Sequence, residues 1–168
     1  IMDGILLFNK PSQWTSHDAV DFLRRRLKQK KIGHAGTLDP MATGLLVMLL
    51  GKGTRLSAEL TGLDKDYEGS FRLGVVTDTW DLEGKVLSEF QTDRVTRAQV
   101  ENIIVQLRGE QRITPPAFSA IKKDGKRSYA LARQGVMLDL PARPVMISRF
   151  ELKNFSDPEV LFSVSCSK

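Results

Sequence analysis

Cysteine occurs once in the 168 residues, at Cys166, so no internal disulfide can staple the fold and stability has to come from burial. Histidine occurs twice, at His17 and His34, too far apart for a paired metal motif, and no zinc-type spacing of cysteine with histidine exists. Neither metal, cofactor nor redox chemistry is therefore expected. Long apolar runs are missing too: the longest, Leu45 to Leu50, falls far short of the ~20 residues that cross a bilayer. No basic segment followed by an apolar signal core opens the chain, so a cytoplasmic protein without membrane attachment is expected. Internal repeats and low-complexity linkers are also absent.

What is present is a chain that is 41% hydrophobic, enough for one domain with a real core, and that carries a net charge of +5. The positive charge is clustered. Arg24, Arg25, Arg26, Lys28, Lys30 and Lys31 lead into the stretch Gly33-His34-Ala35-Gly36-Thr37-Leu38-Asp39-Pro40, and Lys52 and Arg55 come after it. Within that field Asp39 is the only acidic residue between Asp21 and Glu59. Two glycines three apart and an Asp-Pro step disfavour a helix or a central strand, which makes the stretch a shaped loop that presents Asp39. An aspartate in such a loop can form an Asx-turn, its side chain accepting from backbone two residues on. The functional alternative is a carboxylate kept ionised by cations and aimed at a polyanion, where it serves as nucleophile or base. Phosphate contacts dominate nucleic-acid affinity, so RNA suits the charge, as an anionic membrane or acidic protein would.

Around this loop the periodicities predict a mixture of strands and helices. Gly4 to Phe8 reads as a buried strand running into a turn at Asn9-Lys10-Pro11-Ser12. Thr15 or Ser16 caps a helix with Asp18 in its first turn and Ala19, Val20, Leu23 and Leu27 on one face. Gly44 to Leu50 reads as a strand buried on both faces, and Arg55 to Leu63 as a short helix. Lys65 to Val75 alternates as a half-buried strand with Tyr67 near its start, where a tyrosine ordinarily packs with its hydroxyl at the rim. Asp81 heads a turn. Thr96 and Gln99 form a capping box with a Val95–Val100 staple, before a helix whose apolar face is Val100, Ile103, Ile104 and Leu107. Val145 with Ile147, Phe150 with Leu152, and Val160 through Cys166 give further strand patterns. Thr114 to Gly135 has few apolar anchors and a basic group of Lys122, Lys123, Lys126 and Arg127, with a helix at Tyr129 to Arg133. It reads as a mobile insertion.

The octapeptide Gly33 to Pro40, taken with Lys10-Pro11, Thr15-Ser16, Lys65-Asp66-Tyr67 and Leu73-Gly74 followed by Thr77-Asp78-Thr79-Trp80-Asp81, resembles the TruB-type tRNA pseudouridine-55 synthases. Pro115-Pro116-Ala117-Phe118-Ser119-Ala120, Tyr129 and Ala132-Arg133 extend the likeness. The resemblance implies an α+β fold, the pseudouridine-synthase core, with a mixed, mainly antiparallel sheet flanked by helices and a basic insertion that clasps RNA. It implies isomerisation of a uridine in the T-loop of tRNA, at position 55, with Asp39 as the catalytic nucleophile or base on a flipped-out base. Tyr67 would stack on the flipped uracil and help remove the C5 proton, and His34 would fill the space that the base leaves. Lys10, Arg55, Lys122, Lys123, Lys126 and Arg127 are the expected RNA contacts, the T-arm of tRNA the partner, and a monomer the working state.

Two departures accompany the likeness. Asn9 stands where the family often has aspartate before Lys-Pro. A Gly-Thr-Tyr-Ile-Arg type segment, which brings an arginine to the catalytic aspartate, and a small C-terminal RNA-binding domain normally come after the point where residue 168 ends. Residues 1–168 are thus expected to form a catalytic domain truncated at its C-terminal side and inactive alone. Two other readings stay open: a guide-RNA-dependent relative, and a non-catalytic tRNA-binding or tRNA-folding module.

Overall fold

The apolar run Gly44–Leu50 has no polar side chain to keep either face in water, and it forms the middle strand of a three-stranded sheet. In a computed structural model of the chain, which describes residues 2–114, 122–123, 126–127 and 141–167, the elements of this part are β1 (Gly4–Lys10), α1 (Ser16–Leu27), β2 (Ile32–Ala35) and β3 (Gly44–Leu50). A 3₁₀ turn (Gly51–Leu56) and α2 (Ser57–Thr61) complete it. The sheet order is β1-β3-β2, both pairs antiparallel. Leu46, Met48 and Leu50 of β3 are buried with Ala19, Val20 and Leu23 of α1 and Ile32 of β2, with Leu6, Phe8, Trp14, Leu27 and Leu38 packed around them.

Helix α1 starts as its sequence dictates. The Thr15 hydroxyl accepts from the Asp18 amide at 3.1 Å, and the Asp18 carboxylate accepts in return from the Thr15 amide at 2.8 Å. The Thr15 hydroxyl also donates to that carboxylate at 2.7 Å, and this bond, first among the causes, holds the Asp18 carboxyl below its ordinary value. A depressed carboxyl adds stability that is present above its unfolded pKa and lost as pH falls through the folded one. Acid titration of stability should therefore be shallower in Asp18→Asn than in the parent below about pH 4, with the two melting curves compared by circular dichroism.

The chain divides at Leu63/Asp64 into two compact units, and two clusters of buried residues stand where a single core was expected. The second unit contains β4 (Lys65–Arg72), β5 (Val75–Thr77), β6 (Val86–Glu89), α3 (Arg97–Gln106), β7 (Gly109–Ile113), β8 (Lys122–Lys123), β9 (Lys126–Arg127), β10 (Arg143–Ser156) and β11 (Glu159–Cys166). Its main sheet, order β4-β11-β10-β7, is antiparallel throughout. Helix α3 begins with the expected Thr96–Gln99 capping box and lays Val100 and Ile104 against Val160, Phe71, Phe150 and Leu152. Only part of its anticipated apolar face is buried, because Ile103 is 54% exposed. Ile103 and Leu107 instead line an open apolar groove with Phe71, Leu73 and Phe150.

Asp81 is the turn-former its sequence suggested: its carboxylate accepts from the Thr79 hydroxyl at 2.7 Å and from the Glu83 amide at 3.0 Å. The mobility expected of Thr114–Gly135 and the helix expected at Tyr129–Arg133 lie outside the described residues, apart from the β8–β9 pairing. No described helix is long and apolar enough to cross a membrane.

Candidate active site

The octapeptide is only partly a loop. Gly33, His34 and Ala35 pair with Leu49, Met48 and Val47 as the edge strand β2, since an edge position tolerates glycine that a central strand would not. Gly36, at φ +102°, then turns the chain away, a backbone angle that residues with a side chain rarely adopt.

Beyond this turn the chain is anchored on both sides of Asp39. Before it, the Leu38 side chain packs against the first core, and the Leu38 amide donates to the Ser16 hydroxyl at 3.0 Å while that hydroxyl donates back to the Leu38 carbonyl at 3.2 Å. After it, the Pro40 carbonyl accepts from the Gln13 amide at 2.8 Å and from the Lys10 ammonium at 3.2 Å. Asp39 itself is exposed. Its main-chain carbonyl, not its side chain, closes the turn by accepting from the Ala42 amide at 3.1 Å. The Asx-turn alternative thus fails on geometry. Among the described residues the Asp39 carboxylate takes part in no hydrogen bond or ion pair, so it is held in place by its neighbours and left available to a ligand.

Lys10, expected as an RNA contact, is placed elsewhere. It is 0% exposed, and its ammonium donates to the carbonyls of Trp14 at 2.6 Å, Pro11 at 3.0 Å and Pro40 at 3.2 Å. An ammonium has three protons, and these three acceptors use them all. No phosphate reaches it. Lys10 fixes the turn after β1 to the loop that carries Asp39, which corrects both the RNA-contact expectation and the picture of a solvated turn lysine.

His34 is half-buried, and its Nδ1 lies against the Gly36 carbonyl. Because a carbonyl only accepts, Nδ1 is the donor of this contact. Arg55 is exposed and makes no ion pair among the described residues. Arg24, by contrast, spends its guanidinium on the carbonyls of Lys30 and Ile32 and on Asp21, tying the end of α1 to the start of β2. Arg25, Arg26, Lys28, Lys30 and Lys31 make no ion pairs among the described residues, and all five stand exposed.

Tyr67 belongs to the second unit, in β4 opposite Val164, and is 44% exposed. Its neighbour Asp66 points to the other face of the sheet, where the Ser165 hydroxyl donates to it and Arg149 pairs with it at 3.4 Å. Lys122 pairs with Arg127 and Lys123 with Lys126 in a two-stranded ribbon. Lys10, His34, Asp39 and Arg55 thus belong to the first unit, where Lys10 is bonded to the loop that carries Asp39, while Tyr67 and the basic ribbon belong to the second. Sequence reasoning missed Ser16 and Gln13 as anchors. Both contact segments more than twenty residues away, and no local pattern carries that information.

The family model described as "TruB family pseudouridylate synthase (N terminal domain)" matches residues 24–168. A relative from Opitutus terrae named tRNA pseudouridine synthase B is 48% identical over 167 residues, which cover 99% of this chain and 69% of that protein. One of the same name from Geobacillus thermodenitrificans is 44% identical over 174 residues, covering 99% of this chain and 58% of that protein. The chain thus spans roughly six-tenths of the length of such relatives. Among solved structures, that of a Cbf5-Nop10-Gar1 complex superposes with a TM-score of 0.73 at 24% identity, covering 98% of this chain and 39% of the other. At that identity the likeness speaks for the fold, and it bears out the expected α+β pseudouridine-synthase core.

Proposed function

Because the chain belongs to the TruB family of pseudouridylate synthases, we propose that it is the catalytic part of an enzyme that converts a T-loop uridine of tRNA, at position 55, into pseudouridine. The observation that carries this reading is Asp39: an exposed carboxylate without a partner among the described residues, fixed between two anchored peptides. The reaction breaks the bond between N1 of uracil and C1′ of ribose, turns the base and joins C5 to C1′. The C5 proton is lost and N1 regains one, so the product is an isomer and neither water nor an electron carrier is consumed. A glycosidase needs two carboxylates because one protonates a departing group while the other attacks or activates water. An enzyme that retains its leaving group works with one. Asp39 serves as that group, attacking C1′ or C6.

The uridine has to leave its stacked loop to reach the carboxylate, at a cost of a few kcal/mol. Stacking on an aromatic ring offsets roughly 1–3 kcal/mol of this, a part we assign to the half-exposed Tyr67. His34 fills the gap in the RNA, with Nε2 turned toward it. Arg55 and the lysine-rich ribbon of Lys122, Lys123, Lys126 and Arg127 supply phosphate contacts along the T-arm, and the enzyme acts as a cytoplasmic monomer. Relatives that share 44–48% identity are named tRNA pseudouridine synthase B, which favours the tRNA reading over a guide-RNA-dependent one.

The ribbon gives a direct test of the RNA contacts. Replacing Lys122, Lys123, Lys126 and Arg127 together by glutamine should weaken tRNA binding and reduce the slope of log affinity against log salt by about three, at ~0.7–0.9 per phosphate contact. The single-turnover rate at saturating tRNA should stay near that of the parent. An unchanged salt slope would remove the ribbon from the interface.

A further inference from the structure

Ser16 occupies the first position of α1, where the Thr15 side chain already caps the helix, so its hydroxyl is not needed for capping. It is 4% exposed, and its one hydroxyl both accepts the Leu38 N–H and donates to the Leu38 C=O. In an antiparallel ladder a facing residue satisfies these two groups in the same way. The Ser16 side chain therefore stands in for a missing strand at the single residue before Asp39. We propose that Ser16 is a positioning residue for the Asp39 carboxylate: its two bonds fix the Leu38 peptide and, through it, the direction in which Asp39 leaves the chain. The inference rests on the reading of Asp39 as the reacting group.

The anchors flanking Asp39 differ in what they control. Lys10 and Gln13 grip the Pro40 carbonyl, which lies beyond Asp39, and proline's ring already limits the backbone there. On the near side nothing but the Ser16 hydroxyl bonds the Leu38 main chain among the described residues. Without it the Leu38 side chain still seats in the core, while the peptide leading to Asp39 is released to rotate. A carboxylate displaced by about 1 Å loses on the order of a hundredfold in rate when it has to approach a reacting atom in line, but costs little in binding RNA that is held elsewhere.

The test uses the full protein and a tRNA substrate with enzyme in excess, so that the single-turnover rate constant reports folded enzyme alone. Ser16→Ala should lower that constant roughly tenfold to a hundredfold, with tRNA affinity changed less than about threefold. Ser16→Thr, which keeps the hydroxyl, should recover most of the loss. Ser16→Cys, a weaker donor and acceptor of similar volume, should fall between, and it replaces the alanine variant if that one is unfolded at the assay temperature. A purely structural serine would lower the melting temperature and leave the rate constant of the folded fraction intact, and that result overturns the proposal. Asp39→Asn is measured alongside. If it stays active the reading of Asp39 fails. If it is dead while Ser16→Ala and Ser16→Cys turn over like the parent, the positioning role alone fails.

Discussion

Asp39→Asn in the full protein should abolish pseudouridine formation while leaving tRNA affinity within about tenfold of the parent, as read by chemical mapping of pseudouridine and by filter binding. The expectation rests on the division of labour in the proposed function. The Asp39 carboxylate is exposed and bonded to nothing in its own fold among the described residues, so exchanging it for an amide removes no internal contact. The loop geometry survives because it is set by Ser16, Gln13 and Lys10, none of which touches the side chain being changed. In the proposed function affinity comes from dispersed cations and stacking, which the substitution leaves in place. Loss of product with retained binding and an unchanged melting temperature therefore isolates the chemical step. Substantial product from the asparagine variant would remove Asp39 from the mechanism.

The second large effect is expected at Lys10. Lys10→Met keeps an unbranched apolar stem but leaves the carbonyls of Pro11 and Trp14 without the proton each receives from the ammonium, while the Pro40 carbonyl keeps only the Gln13 N–H. An unsatisfied carbonyl shut off from water costs about 1–3 kcal/mol, so with two of them a loss of at least ~2 kcal/mol is expected. For a protein of this size that corresponds to a fall of roughly 4–8 °C in melting temperature. Lys10→Arg should not rescue, since a planar fork cannot point three protons at carbonyls arranged around a compact ammonium. Turnover should fall along with stability because one of the two bonds that hold the Pro40 carbonyl is lost. A fully stable Lys10→Met protein would mean that solvent reaches this site and replaces the ammonium, contrary to its complete burial.

Local signals were legible in the sequence alone: the Thr96–Gln99 capping box, the apolar face of α1 and the wholly apolar strand Gly44–Leu50 each arise from a few neighbouring residues. The broken alternation from Val145 and Ile147 to Phe150 and Leu152 looked like two strands. It is one strand, β10, in which irregular pairing between Ile147 and Arg149 shifts the phase by one residue. The loop around Asp39 could be recognised by its residues, whereas its supports could not. Lys10 and Pro40 are thirty positions apart and Ser16 and Leu38 twenty-two, and the chemistry of a lysine or serine in isolation does not say whether it meets a phosphate or a carbonyl. The division into two units likewise depends on which contacts close, a property of the whole chain.

The doubly anchored loop has a further consequence for how catalysis could be timed. Local opening of a segment costs little where its backbone bonds face water and its side chains pack on nothing. Here the opposite holds: Leu38 belongs to the core, and the polar anchors are the buried Lys10 and Ser16. To swing the Asp39 main chain away, the protein would have to break into the packing of β1, α1 and β3, so the backbone that carries the carboxylate does not move independently of the fold. Under the proposed function, a base extracted from a folded loop and then turned over would rearrange around a carboxylate whose backbone stays fixed, and the larger movement would fall to the RNA.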